Sequence, residues 1–299
     1  MEKFMGIDVG GTSVKIGIVD TGGTLEYKIK HPTIELSDSG NFVGKFLEIL
    51  GGELKAHPEI KKIGIGLPGT LTKDRRKLIE LPNIPMLNGV ALKDALNAEF
   101  PGCIFHLEND ASAAALGEYY FSGIEIPENY IFVTLGTGVG GAAIIDHDIF
   151  AGGDGNSMEL GHTLSRNGQT LEENIGKKGI ARLAESLMKN RKSTLHNISD
   201  LDPKKIIAEA KEGDAVAREV FVEVGEMLGE ALVSAIRLLD IKTVLIGGGL
   251  ATGFDIIVEP LTSVMKRKLT PYYVSELAVR KAQLGNNAGI VGAASLCFK

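Results

Sequence analysis

Two stretches of the chain repeat one pattern, and the repeat limits the available folds more than any other feature. Ile7-Asp8-Val9-Gly10-Gly11-Thr12-Ser13-Val14-Lys15 and Val133-Thr134-Leu135-Gly136-Thr137-Gly138-Val139-Gly140-Gly141 each join an apolar run to a Gly/Thr turn and a second apolar run, closing on Asp20 and Asp146. Each reads as a β-hairpin whose turn carries almost no side chain. Glycine supplies the positive φ angles expected of such turns and admits another molecule close to the backbone. Bare N–H groups beside threonine hydroxyls form a concave donor surface suited to phosphate oxygens. Gly-Gly is also a common plain strand turn, so one copy alone says little. Two copies, each heading an α/β half, point to a nucleotide held between the halves.

The rest of the chain fits a duplicated α/β plan. Residues 4–9 and 14–20 pair across the first turn, and 25–29 adds a strand. Phe42, Phe46, Ile49 and Leu50 share one face of a helix over 42–54. A buried strand at 63–67 ends on Pro68-Gly69, and a loop with Pro82 and Pro85 follows. Helix 92–99 leads to a strand at 104–108. Asn109-Asp110 then stands at the carboxyl end of that strand, where α/β folds place ligands. The next helix, 111–121, is built on Ala113, Ala114, Ala115 and Gly117, small enough to pack close to neighbouring backbone. The second half has strands at 131–135 and 142–145, helices at 201–212 and 215–239, and a strand at 243–246 running into Gly247-Gly248-Gly249. Val220, Val224, Leu228, Leu232, Ile236 and Leu239 form the core stripe of the long helix. With no flexible linker in view, the boundary falls at the helix starting at Ala111. That gives a smaller N-terminal domain, 1–110, onto which the final helix (288–299) packs back, and a larger domain, 111–287.

Composition removes several classes of function. The 299 residues suffice for two domains, at roughly 100–200 residues each. A net charge of −6 without a dense basic cluster disfavours a nucleic-acid partner. Lys73-Asp74-Arg75-Arg76-Lys77 reads as a solvated charged loop. No apolar run is long enough to span a bilayer, so no membrane partner is expected. The chain starts almost directly in a strand, so neither a signal peptide nor an N-terminal helix-turn-helix module is expected. Cys103 and Cys297 lack metal-ligand spacing and read as buried apolar thiols of a reducing cytosol, so a cytoplasmic location is expected.

Several residues carry candidate chemistry. Asp8 ends a strand beside a Gly turn, where a carboxylate repels phosphates unless a cation intervenes. It therefore implies Mg²⁺ held with its waters, the plainer reading being a turn-capping aspartate. Asp110 is the other candidate acid, because phosphoryl transfer to an alcohol needs a carboxylate that accepts the hydroxyl proton. Glu159-Leu160-Gly161-His162 sets a carboxylate and an imidazole close enough to hold vicinal sugar hydroxyls, with Glu172 nearby, although a lone histidine is more often structural. Gly247-Gly248-Gly249 offers flat backbone to adenosine, or is simply a strand-to-helix turn. The chain has no Walker sequence and no Gly-x-Gly-x-x-Gly opening a helix.

In this order, Asp8-Val9-Gly10-Gly11-Thr12, Gly66-Leu67-Pro68-Gly69, Glu108-Asn109-Asp110-Ala111 and Leu135-Gly136-Thr137-Gly138-Val139-Gly140-Gly141 make the chain resemble the ROK sugar kinases. Glu159-Leu160-Gly161-His162, Gly247-Gly248-Gly249 and Asn287-Ala288-Gly289-Ile290-Val291-Gly292-Ala293-Ala294 extend the resemblance over essentially the full length. The resemblance implies an α/β fold of two ribonuclease H-like domains, of the actin-like ATPase type, with an interdomain cleft. It implies ATP-dependent phosphorylation of a hexose at the 6-hydroxyl, with glucose leading and N-acetylmannosamine, fructose or allose as alternatives. A non-catalytic sugar sensor on the same fold is the reading of another class. By the same resemblance Asp110 is the general base, and Gly69, Asn83, Asn109, Asp110, Glu159, His162 and Glu172 bind the sugar. Asp8 acts on Mg²⁺ through water. Gly10, Gly11, Thr12, Lys15, Thr134, Gly136, Thr137, Gly138, Gly247, Gly248 and Gly249 complete the ATP site. A homodimer is implied as well.

The chain also departs from that pattern. Family members follow Gly-His with a Cys-x-Cys-Gly-x-x-Gly-Cys run that helps bind a structural zinc. Here Gly168-Gln169-Thr170 passes straight into Leu171-Glu172-Glu173, so no zinc site is expected. The shortening leaves Glu172, or by a slip of one Glu173, as the sugar-facing acid. Met158 stands where a glycine usually precedes Glu159, and Met86 or Leu87 replaces an aromatic near Asn83.

Overall fold

The computed structural model describes residues 2–38 and 40–298. Lys299, at the end of the expected last helix, lies outside the described residues. In chain order the elements are β1 (Lys3–Val9), β2 (Ser13–Asp20), β3 (Leu25–Pro32), α1 (Thr33–Ser37), α2 (Phe42–Ala56), β4 (Lys62–Leu67), β5 (Thr70–Leu71) and β6 (Leu78–Glu80). There follow α3 (Leu92–Glu99), β7 (Ile104–Asn109), α4 (Asp110–Phe121), β8 (Tyr130–Leu135), β9 (Val139–Ile145) and β10 (Asp148–Ile149). The remainder is α5 (Leu171–Ile175), α6 (Lys177–Met188), α7 (Pro203–Lys211), α8 (Ala215–Leu239), β11 (Thr243–Gly247), α9 (Phe254–Lys268), α10 (Pro271–Val274), β12 (Ala278–Lys281) and α11 (Ala288–Ser295). The chain forms two compact units. One comprises Met1–Ile126, His147–Ser157 and Asn286–Lys299, and the other Pro127–Asp146 and Met158–Gly285.

The first unit is built on a sheet of order β3-β2-β1-β4-β7. β1 and β2 are antiparallel, in register from Lys3↔Asp20 to Val9↔Val14, while β4 and β7 run parallel to β1. Both faces are covered, so β1 is buried almost throughout rather than alternating. Phe46, Leu50, Leu92 and Leu96 help cover one face. α11 covers the other so closely that a β-carbon on Gly6 or Gly64 would collide with the backbone of Ile290 or Ala293. The small residues of α4 serve the same close packing, since a β-carbon on Gly292 would lie 2.5 Å from the Ala113 carbonyl oxygen.

In the second unit the strands β9-β8-β11-β12 repeat the order β2-β1-β4-β7 of the first sheet. β8 and β9 are antiparallel, in register from Tyr130↔Ile144 to Leu135↔Val139, and β11 is parallel to both its neighbours. The long helix α8 is capped by the Asp214 carboxylate and ends at Asp240 in the left-handed region, φ 55°. Val220, Val224, Leu228, Leu232 and Ile236 are buried as the stripe predicts, and Leu239 packs at the margin of that core. The pattern assigns no element to α6 or α9. α9 carries Pro260 inside it, and that proline seats over Gly225 of α8, where a β-carbon would lie 2.7 Å from the proline ring.

Two expectations are corrected. Gly10, Gly11, Gly136 and Gly138 do not adopt positive φ. Both hairpins turn over three residues; close approach by the Asn83 loop calls for glycine at Gly11, and at Gly138 the space is taken by the Glu172 carboxylate. The 73–77 loop is not wholly solvated either: its Arg75 side chain is only 15% exposed and pairs with Glu108.

Candidate functional site

In the first unit the hairpin turn is held from outside. Gly10 N–H donates to the Ser13 carbonyl at 3.0 Å, and Thr33 N–H donates to the Thr12 carbonyl at 3.0 Å. The Thr33 hydroxyl donates to the Gly10 carbonyl at 2.6 Å. Thr33 is buried, and no sequence signal points to it because its partners lie a whole strand away. The Asn83 loop lies on Gly11, where a β-carbon would sit 2.8 Å from that of Asn83. Asp8 faces Lys15 across the hairpin and accepts from its Nζ at 2.7 Å. The Asp8 carboxylate also rests on the first turn of α11: a β-carbon on Gly289 would lie 2.5 Å from its Cγ.

At the end of β7, Asn109 caps α4, its Oδ1 accepting from Ala111 N at 2.9 Å and Ser112 N at 3.2 Å. Its Nδ2 donates to the Gly69 carbonyl at 3.2 Å. Gly69 has φ 100°, and a β-carbon there would strike the Glu80 carbonyl oxygen, so no other residue suits. Asp110 is the first residue of α4, in the positive end of the helix dipole, and its Oδ1 accepts from Ala111 N at 2.8 Å. Among the described residues, no group of three or more His, Cys, Asp or Glu gathers as a metal cage. Asp8, a single half-buried carboxylate, matches Mg²⁺ in its usual mode of one or two carboxylates plus phosphates and waters.

In the second unit the glycines of the β8–β9 hairpin receive the Met158–His162 segment and Glu172. A β-carbon on Gly141 would lie 2.5 Å from the Met158 carbonyl oxygen, and one on Gly161 would strike that of Val139. One on Gly138 would meet the Glu172 carboxylate, which accepts from Val139 N at 2.9 Å. Glu173 is committed elsewhere, in a capping box with Thr170 at the start of α5. Met158 has φ 63°, a left-handed conformation that glycine adopts freely and methionine does not. Its side chain packs against the core of the unit. Loss of contact with water pushes the Glu159 carboxyl above its ordinary range; the His162 ring opposes the rise and the Glu172 carboxylate adds to it. Glu159, His162 and Glu172 therefore form one interacting group, with Glu159 and His162 exposed as whole residues although the Glu159 carboxyl is partly shielded from water.

The glycine triplet lies against the same hairpin. Gly247 is in register with Thr134. Gly248 has φ 84°, and a β-carbon there would lie 2.6 Å from the Thr134 hydroxyl. The Thr137 carbonyl accepts from Lys177 N at 3.1 Å, which joins the turn to the start of α6. Lys204 on α7 lies along Gly249, its Nζ 3.7 Å from where a β-carbon would be. The sequence gives no warning of Lys177 or Lys204, since each stands in a helix far from the motif it meets.

Each unit thus opens its sheet with a side-chain-poor hairpin followed by parallel strands, the plan of the actin-like ATPase fold. Residues 4–299 match the model of the ROK family, and the chain belongs to that family. It is similar to the glucokinase of Streptomyces coelicolor, 32% identical over 314 residues, covering 99% of this chain and 98% of that protein. A ROK family glucokinase from Streptomyces griseus, solved in complex with glucose and AMPPNP, superimposes with a TM-score of 0.82 at 28% identity over 99% of each chain. A Cytophaga hutchinsonii protein named as a candidate sugar kinase has a TM-score of 0.93 at 39% identity, covering 99% of this chain and 100% of that one.

Proposed function

We propose that this protein is an ATP-dependent hexose kinase that phosphorylates the 6-hydroxyl of its sugar, with glucose the leading substrate. The observation that carries the reading is Asp110, set in the first turn of α4 by a capped strand–helix junction whose asparagine also holds Gly69. The glucokinase relatives support it. In this reading Asp110 accepts the proton of the sugar hydroxyl as that oxygen bonds to the γ-phosphorus and the bond to the ADP oxygen breaks. Asn109, Asn83 and Gly69 position the sugar from the first unit, and Glu159, His162 and Glu172 from the second. Glu172 is taken rather than Glu173 in this reading, a choice supported by the capping box that Glu173 closes.

Thr134, Gly136, Thr137, Gly138 and the Gly247–Gly249 backbone receive ATP in the second unit, and Gly10, Gly11, Thr12 and Lys15 do so in the first. Asp8 holds Mg²⁺ through water; bound there, the ion neutralises charge on the phosphates. We further propose a division of labour between a lobe of 1–110 with the final helix and a lobe of 111–287, a homodimer, and a cytoplasmic location. No described helix is long and apolar enough to cross a membrane.

The test is ADP release with Mg-ATP over glucose, fructose, mannose, allose and N-acetylmannosamine, alongside calorimetric sugar binding. Asp110→Asn should abolish turnover while leaving sugar affinity within a few-fold. Turnover retained in Asp110→Asn removes Asp110 as the base. Sugar binding without turnover in the natural chain makes the protein a sensor instead.

A further inference from the structure

Arg75 sits in the β5–β6 hairpin, in a run of charges that belongs on a surface. Its side chain is nonetheless only 15% exposed and that of Glu108 11%. The guanidinium grips Glu108 with both arms, Nε to Oε2 at 3.0 Å and Nη2 to Oε1 at 2.9 Å. Nη2 also donates to the Gly155 carbonyl at 2.6 Å. Glu108 Oε1 in turn accepts from Asn109 N at 2.8 Å. Asn109 then caps α4 and holds Gly69. An uninterrupted chain of hydrogen bonds therefore runs from segment 153–156, through Arg75 and Glu108, to the Glu108–Asn109 peptide, one residue before Asp110.

The surroundings are shaped around this one side chain. Arg75 itself has φ 57°, which a non-glycine residue adopts only when held there. Gly155 has φ 93°, and a β-carbon on it would lie 2.7 Å from Arg75 Nη1. Asn156 fastens the same two segments in parallel, accepting from Leu71 N at 2.9 Å and donating to the Leu71 carbonyl at 2.8 Å. Lys73 Nζ adds a bond to the Gly153 carbonyl at 2.9 Å.

Stability alone accounts poorly for the arrangement. A buried ion pair gains little over apolar packing of the same volume. Arg75 Nη1, moreover, is buried without a hydrogen-bond partner, which costs folding energy. What the planar fork supplies is geometry: two carboxylate oxygens and one carbonyl fixed at once, which a lysine ammonium on a flexible stem cannot reproduce.

We propose that Arg75 is a positioning residue for phosphoryl transfer: through Glu108 it fixes the Asn109 peptide, and so the direction in which Asp110 meets the hydroxyl proton. This rests on the kinase reading given above. A small misalignment of a catalytic group reaches the chemical step rather than binding, and about 1 Å can cost roughly 100-fold.

The test uses full-length Arg75→Gln and Arg75→Lys, each first shown by circular dichroism to be folded. Arg75→Gln should lower kcat by about 10- to 100-fold with the KM for ATP and the sugar affinity within about three-fold. Arg75→Lys should recover only part of that loss. Hydrogen exchange should quicken in peptides covering 108–113 and stay unchanged in α8, a readout that needs no turnover. If the folded Arg75→Gln keeps kcat within two-fold, or exchange at 108–113 does not change, the positioning role is refuted. If exchange quickens but the natural chain phosphorylates no sugar, the kinase reading fails while the mount around Asp110 stands. Should Arg75→Gln not fold, Arg75→Lys decides by the same measures.

Discussion

The contact between Asp8 and Gly289 separates function from stability in a single substitution, Gly289→Ala. A methyl group there would lie 2.5 Å from Asp8 Cγ and 2.6 and 3.0 Å from its two oxygens. The approaches at 2.5 and 2.6 Å are too close, so the carboxylate must rotate away. The stability terms nearly cancel. Alanine in a helix is worth up to about 1 kcal/mol over glycine. Rotation breaks the Asp8–Lys15 pair, whose side chains are 17% and 30% exposed; Lys15 can follow the carboxylate or turn to water, so the loss stays near the upper end for solvent-reaching pairs, about 1 kcal/mol. The net change should stay within about 1 kcal/mol, a melting shift of about 2–4 °C for units of this size. Catalysis should not be spared. In the role proposed above for Asp8, a displaced carboxylate no longer holds Mg²⁺ at the phosphates, so kcat/KM for Mg-ATP should fall at least 10-fold, about 1.4 kcal/mol. Thermal melts and steady-state kinetics over a Mg²⁺ titration measure both quantities. A stable variant with unchanged kcat/KM would show that the Asp8 carboxylate has no function where it lies. A loss of about 3 kcal/mol or more in stability, a size typical of overpacked cores, would refute the cancellation.

In the proposed sugar site, the raised Glu159 carboxyl makes binding sensitive to acid. Protonation removes an acceptor for sugar hydroxyls, and a raised pKa means that this happens at higher pH than for an ordinary glutamate, whose pKa is about 4.3. Calorimetric affinity should therefore begin to fall above that range as pH is lowered, and Glu159→Gln should remove that limb; an unchanged limb excludes Glu159. Burial pushes the Cys297 thiol up to about 12, so thiol titration of the native protein at pH 8 should find at most one reactive group, against two after denaturation. Rapid reaction of both thiols in the native state would show that Cys297 is not enclosed.

Much of the fold was legible because it rests on local pattern. The 3.6-residue stripe of α8 and the apolar runs flanking each glycine turn are signals contained within one element. The role of the glycines was misassigned, because a glycine kept for space looks the same in sequence as one kept for φ. Gly11 answers to Asn83 and Gly138 to Glu172, and nothing local announces either partner. The candidate site divides the same way. Asn109-Asp110 is readable as a cap at a strand–helix junction, and Thr170-x-x-Glu173 is the spacing of a capping box, a signal that could have separated Glu173 from Glu172. Arg75 was illegible, since its neighbours Lys73, Asp74, Arg76 and Lys77 make it one charge among five. Its burial follows only from the distant Glu108 and Gly155.

The order in which the ribosome delivers these pieces has its own consequence. α11 covers the face of β1 and β4 at Gly6 and Gly64, yet the first unit releases the chain at Ile126 and recovers it for good only at Asn286. Residues 127–285 are made in the interval, on the order of 10–30 s at roughly 5–20 residues per second. By the end of it the second unit has all of its own chain, while the face of β1 and β4 at Gly6 and Gly64 still lacks α11. The unit whose synthesis begins first is therefore the last to receive its whole chain, and α11 is the piece it waits for.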